Sequence, residues 1–148
     1  EELAAVLTTG AVDLARQIAA DAEGASRVVT IVVTGAVDDA AARSIGRSVA
    51  DSALVRSSFY GADPNWGRIV GALGEVDEEV EFGDLTVSFA GTMVARNGVA
   101  VSVDEDAVSE AMEGDFGVAI CVGSGSGTAR VFTTDLTPDY VRFNAERS

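Results

Sequence analysis

The spacing of apolar positions divides the first third of the chain into a helix, a strand and a second helix. Residues 2 to about 22 carry apolar side chains at helical spacing, and Gly24 is a candidate for the residue that ends this helix. Residues 28–33 (VVTIVV) form a β-branched run that indicates a buried strand. Asp38 or Asp39 can begin the next helix, in which apolar residues recur every four positions.

The second half of the chain predicts shorter strands around one helix. The strands are expected at residues 85–90, 93–95, 99–103, 117–122 and 129–134. The second and third of them would join across Asn97-Gly98, a dipeptide that two-residue hairpin turns favour. A short helix over 104–112 begins with acids, which suits the positive end of its dipole. The glycines of 123–127 could form a phosphate loop, but a strand follows them, so a connection between strands is the better interpretation.

A last helix is signalled by Thr137 as its N-cap, Pro138 as its first residue and Asp139 in its first turn. The order β–α–β, followed by antiparallel strands and a helix, predicts an α/β fold: a layered sandwich of mixed β-sheet covered by helices. The length of 148 residues fits a single domain over 1–148. The chain opens at Glu1 inside a helical pattern, which suggests a processed product, a subdomain or a trimmed chain.

The chemically densest stretch is FYGADPNWGRIVGALG at residues 59–74, which an extended segment at 54–60 is predicted to precede. We expect Asp63 to cap a helix whose first residue is Pro64. Arg68, one turn later, could bond backbone carbonyls or Asp63. The spacing favours a structural loop over a catalytic one.

Composition narrows the chemistry. The net charge of −14 argues against nucleic acid or an anionic membrane as a partner. All ten basic residues are Arg, so a Schiff-base lysine and imidazole metal ligands are excluded, and we expect neither metal nor cofactor. The single Cys, Cys121, lies in an apolar run and is interpreted as a small core residue rather than a nucleophile. No apolar run reaches the roughly 18 residues of a membrane helix, so a soluble chain is expected.

Glutamates and aspartates are concentrated at residues 75–81, which indicates a solvated surface or a strand edge kept unpaired by charge.

Three residues are candidate binding groups. Glu23 lies at a junction between a helix and a strand, where binding groups often occur, although a solvated acid is the simpler interpretation. Asn144 and Ser148 are four residues apart, so on a continued helix they would share a face and could hold one ligand. A frayed polar terminus is the alternative.

Three segments together resemble a known family. DAEGA at 21–25, LVRSSFYGADPNWGRI at 54–69 and DLTPDYVRFNA at 135–145 closely resemble the bifunctional ornithine acetyltransferase / glutamate N-acetyltransferase family. The Asn97-Gly98 turn and the glycine-rich connection fit as well, and the resemblance covers essentially the whole chain. The second and third segments are specific enough that a chance match to both is very improbable.

The resemblance implies a fold like that of self-cleaving aminopeptidases and an enzyme of arginine biosynthesis in the cytoplasm. Members are made as a precursor that cleaves itself before a Thr, which becomes the nucleophile at the start of the β chain. That Thr takes acetyl from N-acetylornithine and passes it to glutamate by a ping-pong route. An α-chain Thr-Gly pair forms the oxyanion hole, and the mature protein is an α2β2 heterotetramer.

This chain resembles only the C-terminal part of the β chain. The cleavage site, the oxyanion pair and the active-site Lys of the family have no counterpart in it. The resemblance therefore implies a fragment that is inactive alone, with the α chain and the remainder of the β chain as partners. It is expected to supply substrate-binding residues to an oligomer that needs no cofactor.

Carried over position by position, Glu23 matches the substrate-binding Glu of the family, with Ala22 in place of the usual Gly. Asn144 matches the substrate-binding Asn of the last helix. Ser148 matches the terminal Ser/Thr ligand, although this chain has one residue fewer between that Asn and the end. Two alternatives stay open: an isolated or engineered non-catalytic α/β domain that self-associates, and an aminopeptidase of the related self-cleaving superfamily.

Overall fold

A computed structural model describes residues 2–146 of the chain and the side chains of residues 6–146. Within that range, the structure has six helices and six strands. The elements are α1 (Glu2–Ala20), β1 (Val28–Ala36), α2 (Asp39–Asp51), α3 (Ala53–Tyr60), α4 (Trp66–Leu73), β2 (Thr86–Phe89), β3 (Thr92–Arg96), β4 (Val99–Ala100), α5 (Glu105–Ala111), β5 (Phe116–Cys121), β6 (Gly127–Thr134) and α6 (Pro138–Glu146). None of these helices is both long and apolar enough to pass through a bilayer.

The strands form one mixed sheet in the order β4-β3-β2-β5-β1-β6. β1 runs parallel to β5 and antiparallel to β6, and the remaining pairs are antiparallel. The sheet and its covering helices confirm the layered α/β fold that the sequence predicts.

One face of the sheet carries the hydrophobic core. On β1, Val29, Ile31 and Val33 are fully buried at alternate positions, as the period of two in a strand requires. Their partners in the core include Ile45 and Val49 of α2, which are also fully buried. The four-residue spacing that predicted α2 therefore identifies its core-facing stripe.

The opposite face of the sheet remains accessible in this chain. Gly117 and Ala119 of β5 are exposed between buried neighbours, and Thr34 of β1 is exposed as well. Small side chains of this kind let another layer approach a sheet closely. The described residues thus form helices over one face and leave the other open.

The predicted extended segment at 54–60 is wrong, because it lies within α3. Ser52 caps this helix, and its hydroxyl accepts a bond from the Val55 amide at 3.4 Å. Val55 and Phe59, one turn apart, are fully buried. That helical spacing is the signal that the sequence interpretation missed.

The predicted start of the next helix is also wrong. α4 begins at Trp66, and its N-cap is Asn65, whose side chain accepts from the Arg68 amide at 3.3 Å. Asp63 instead accepts a bond from the Asn65 side-chain amide at 3.1 Å, and Pro64 precedes the helix. Asp and Asn cap helices about equally well, so local preference could not choose between them.

Other local predictions are confirmed. Asn97 and Gly98 have φ values of 51° and 69°, as the two central residues of a hairpin turn require. Asp104 caps α5, and the glycine-rich segment connects β5 to β6. Residues 75–81 lie in the loop between α4 and β2, so the suggestion of a strand edge there is wrong.

Candidate functional site

Glu23 lies at the corner of a tight turn between α1 and β1. The Ala25 amide donates to the Ala22 carbonyl at 3.1 Å, which closes a turn with Glu23 and Gly24 in the middle. Gly24 has a φ of 84°, a backbone conformation that L side chains rarely adopt. Gly24 lies within this turn and not directly after α1, which already ends at Ala20, so the prediction that Gly24 ends this helix is wrong.

The turn packs directly against the start of α6. A Cβ placed on Gly24 would lie only 2.5 Å from the Tyr140 backbone nitrogen. The Thr137 hydroxyl donates to the Gly24 carbonyl and accepts from the Tyr140 amide at 2.9 Å. Thr137 is therefore the N-cap of α6, as predicted, and it also ties the helix to the Glu23 turn. One turn later, the Asn144 side-chain amide donates to the Tyr140 carbonyl at 2.8 Å.

Glu23 and Asn144 line one depression of about 370 Å³. The other lining residues are Asp21, Ala22, Tyr140 and Phe143. Two residues that the sequence predicted separately, far apart along the chain, are thus brought to the same surface. The third candidate, Ser148, lies outside the described residues.

A buried carboxylate holds the base of the turn. Asp135 is fully buried and accepts from the Ser26 amide at 2.9 Å, the Arg27 amide at 3.3 Å and the Ser26 hydroxyl. Its other neighbour is the Arg27 guanidinium, whose Nε lies 3.7 Å from the carboxylate. The sequence interpretation missed this residue, although its place next to the cap of α6 could have pointed to it.

An arginine from α3 supports the wall of the depression. Arg56 donates to the Thr134 carbonyl at 2.9 Å and to the Thr134 hydroxyl at 3.0 Å. The same guanidinium lies 5.0 Å from the centre of the Tyr140 ring, a cation–π contact. Arg56 therefore contacts an aromatic ring that lines the depression together with Glu23, and it comes from the segment predicted as extended.

The lining groups suit a small polar ligand. Glu23 and Asp21 offer carboxylates for an ammonium group, and Asn144 offers an amide for a carboxylate or an amide. Among the side chains of residues 6–146, no three acidic or cysteine groups gather in a way that could hold a metal ion. The depression presents carboxylate and amide groups that can pair with charges and form hydrogen bonds.

The DPNWGR stretch at residues 63–68 has a structural role, because one of its side chains joins two helices. Arg68 donates to the Leu54 carbonyl at 2.7 Å, which joins α4 to the start of α3.

Cys121 is a half-buried free thiol at the end of β5, 3.4 Å from the Gly123 carbonyl. Cys121 does not line the depression that holds Glu23.

Comparison with known proteins identifies the group to which this architecture belongs. The sequence profile of the ArgJ family matches residues 1–148. The "arginine biosynthesis bifunctional protein ArgJ" of Nitrobacter winogradskyi is 43% identical over 136 residues, which cover 90% of this chain and 33% of that protein. The protein of the same name from Thermobifida fusca is 40% identical over 148 residues, or 99% of this chain and 38% of that protein. The chain therefore spans about a third of the length of these curated relatives.

The fold agrees with a solved relative. The crystal structure of the arginine biosynthesis bifunctional protein ArgJ from Bacillus halodurans superposes with a TM-score of 0.94 at 31% sequence identity. The superposition covers 98% of this chain and 69% of that one. With the whole chain matched in sequence and nearly all of it in structure, the chain belongs to the ArgJ family and matches a C-terminal portion of its proteins.

Proposed function

We propose that this chain is the C-terminal portion, as one domain over residues 1–148, of the β chain of a glutamate N-acetyltransferase. The enzyme would move acetyl from N-acetylornithine to glutamate by a ping-pong route in the cytoplasm. Glu23, Asn144 and Ser148 would bind the substrates. The nucleophile would be a Thr in a segment outside this chain, exposed when the precursor cleaves itself.

The observation that carries this proposal is the placement of Glu23 and Asn144 in one depression. N-acetylornithine carries a side-chain ammonium and an α-carboxylate, and glutamate carries an ammonium and two carboxylates. A carboxylate and an amide on one wall complement such charges, and hydrogen bonds to charged groups are the strong ones. By holding the donor amino acid, this chain would place its acetyl carbonyl against a nucleophile supplied from elsewhere.

The open face of the sheet supports the expected partners. Gly117 and Ala119 form part of a sheet surface that no other layer covers among the described residues. On α1, apolar side chains are exposed along one helix, with Leu14 60% and Ile18 75% accessible. Surfaces of this kind mark interfaces. In the proposed heterotetramer, the α chain and the remainder of the β chain would cover them, whereas self-association would cover them in an isolated domain.

The test uses this chain produced together with the other segments of its precursor, and also alone. Ornithine release from N-acetylornithine in the presence of glutamate reports the transfer. We expect activity only from the combined protein. Robust transfer by this chain alone would contradict the proposal that the nucleophile lies outside it.

A matched pair of variants tests the site. Glu23→Gln removes the negative charge and should raise the KM for N-acetylornithine about tenfold to a hundredfold, the range expected for a hydrogen bond to a charged group. Glu110→Gln makes the same chemical change at an exposed position of α5 and should leave the KM unchanged. Equal KM values for the two variants would remove Glu23 from the site.

A further inference from the structure

We infer that Thr137 is a positioning residue that fixes Glu23 relative to Asn144 through three consecutive hydrogen bonds. The inference rests on the proposed function, because it concerns the same depression. Thr137 does not line that depression, and its side chain is buried. It would act on the substrate only through the residues that it holds.

The first two bonds share the Thr137 hydroxyl. Its single proton goes to the Gly24 carbonyl, which belongs to the residue next to Glu23. Its oxygen accepts from the Tyr140 amide at 2.9 Å. One buried oxygen therefore links the turn that carries Glu23 to the first turn of α6.

The third bond continues along the helix. The Tyr140 residue that donates its amide to Thr137 accepts with its carbonyl from the Asn144 side chain, at 2.8 Å. That bond uses one proton of the Asn144 amide and orients its side chain along α6. A continuous path of hydrogen bonds thus leads from the backbone beside Glu23 to the side chain of Asn144, with Thr137 at its centre.

The choice of residue supports this role. An Asp would cap α6 as well as a Thr does, but an ionised carboxylate has no proton to give to the Gly24 carbonyl. The close approach of Gly24 to Tyr140, where a Cβ would lie 2.5 Å from the backbone nitrogen, brings the two segments within reach of one hydroxyl. Capping alone requires neither the donated bond nor this glycine.

The consequence for binding is geometric. Loss of the hydroxyl would let the turn and the helix separate, which would weaken the hydrogen bonds from the depression to a charged substrate, each worth roughly tenfold to a hundredfold in affinity. The effect should appear mainly in KM, because the depression binds the substrate while the nucleophile comes from another segment.

Three variants of the complete enzyme test the inference. Thr137→Val keeps the shape and removes the hydroxyl, and should raise the KM for N-acetylornithine by about tenfold to a hundredfold with a smaller change in kcat. Thr137→Ser keeps the hydroxyl and should restore the KM to within about threefold. Thr133→Val is the matched control, since the Thr133 hydroxyl also donates to a backbone carbonyl, that of Ala50 at 2.9 Å, away from the depression.

A double variant separates positioning from general destabilisation. In a Glu23→Gln background, Thr137→Val should raise the KM by only about twofold, because the group that it positions is already lost. Hydrogen–deuterium exchange over residues 138–146 should also accelerate in Thr137→Val and stay unchanged in Thr133→Val.

Each outcome decides a separate claim. If Glu23→Gln raises the KM but Thr137→Val does not, the inference is overturned and the proposed function stands. If the KM increases of the two single variants multiply fully in the double variant, Thr137 acts through stability alone. That result also overturns the inference. If Glu23→Gln itself leaves the KM unchanged, the proposed site fails first and the inference with it.

Discussion

Asp135→Ala provides the sharpest test of how the Glu23 turn is held. In the native chain, this fully buried carboxylate accepts three hydrogen bonds from Ser26 and Arg27 and lies 3.7 Å from the Arg27 guanidinium. The Arg27 side chain is only 14% exposed, so water cannot readily replace the lost partner. Removing one member of a buried charge pair leaves the other charge uncompensated, and we expect a loss of about 3–5 kcal/mol in the free energy of unfolding.

Asp104→Ala is the matched control. Asp104 is exposed and accepts one bond, from the Ala107 amide at 3.2 Å, as the cap of α5. Its removal should cost about 1 kcal/mol, the usual value for a helix cap. The two Asp→Ala substitutions thus compare a carboxylate in a buried hydrogen-bond network with a carboxylate that caps a helix at the surface.

Urea unfolding followed by circular dichroism and by Trp66 fluorescence measures both changes. With a denaturant slope of about 2 kcal/mol per molar, the midpoint should fall by about 2 M for Asp135→Ala and by about 0.5 M for Asp104→Ala. Equal midpoint shifts would refute the reasoning, since they would mean that Asp135 contributes no more than a cap. A double-mutant cycle of Asp135→Asn with Arg27→Met should then give a coupling energy of at least about 1 kcal/mol.

Four further substitutions test the glycines, the core and the exposed face of α1. Gly24→Ala should destabilise the chain by more than about 1 kcal/mol, because the φ of Gly24 is positive and the new Cβ would clash with Tyr140. Gly10→Ala, in open space within α1, should stabilise the chain by about 0.5–1 kcal/mol. The midpoints of thermal unfolding of the two variants should therefore shift in opposite directions. Phe59→Ala should cost about 3–5 kcal/mol in urea unfolding, because its ring is fully buried, and a cost under about 1 kcal/mol would contradict its place in the core. Ile18→Glu should leave the stability of the chain within about 0.5 kcal/mol but weaken its assembly with the other precursor segments in size-exclusion chromatography, and unchanged assembly would exclude this part of α1 from the interface.

Local patterns in the sequence were sufficient for most elements of the fold. The β-branched run of β1 and the four-residue spacing of α2 predicted both elements, because a strand or helix with one buried face imposes its own period on the sequence. The Asn97-Gly98 turn was equally clear, since few residues tolerate its positive φ values. α3 was missed because its exposed Leu54 and Tyr60 obscure the buried pair one turn apart.

The candidate site was predictable only in part. Position and family resemblance predict Glu23 and Asn144 as binding residues, but each of them alone looks like an ordinary surface residue, and only the structure shows that they line one depression. The contacts that bring them together depend on Asp135 and Arg56, whose partners lie far away along the chain. Such pairings depend on the tertiary fold and produce no periodic pattern in the sequence, so only the three-dimensional structure reveals them.

The placement of β1 also determines when the protein can fold during its synthesis. β1 is translated well before both of its neighbours in the sheet, β5 and β6. Until then, its VVTIVV segment has two unpaired backbone edges and a side-chain pattern prone to association. Pairings between distant segments form slowly because a long loop must close first. The VVTIVV segment of β1 therefore lacks a sheet neighbour until residue 116 emerges, and slower translation between β1 and that point would lengthen the exposure.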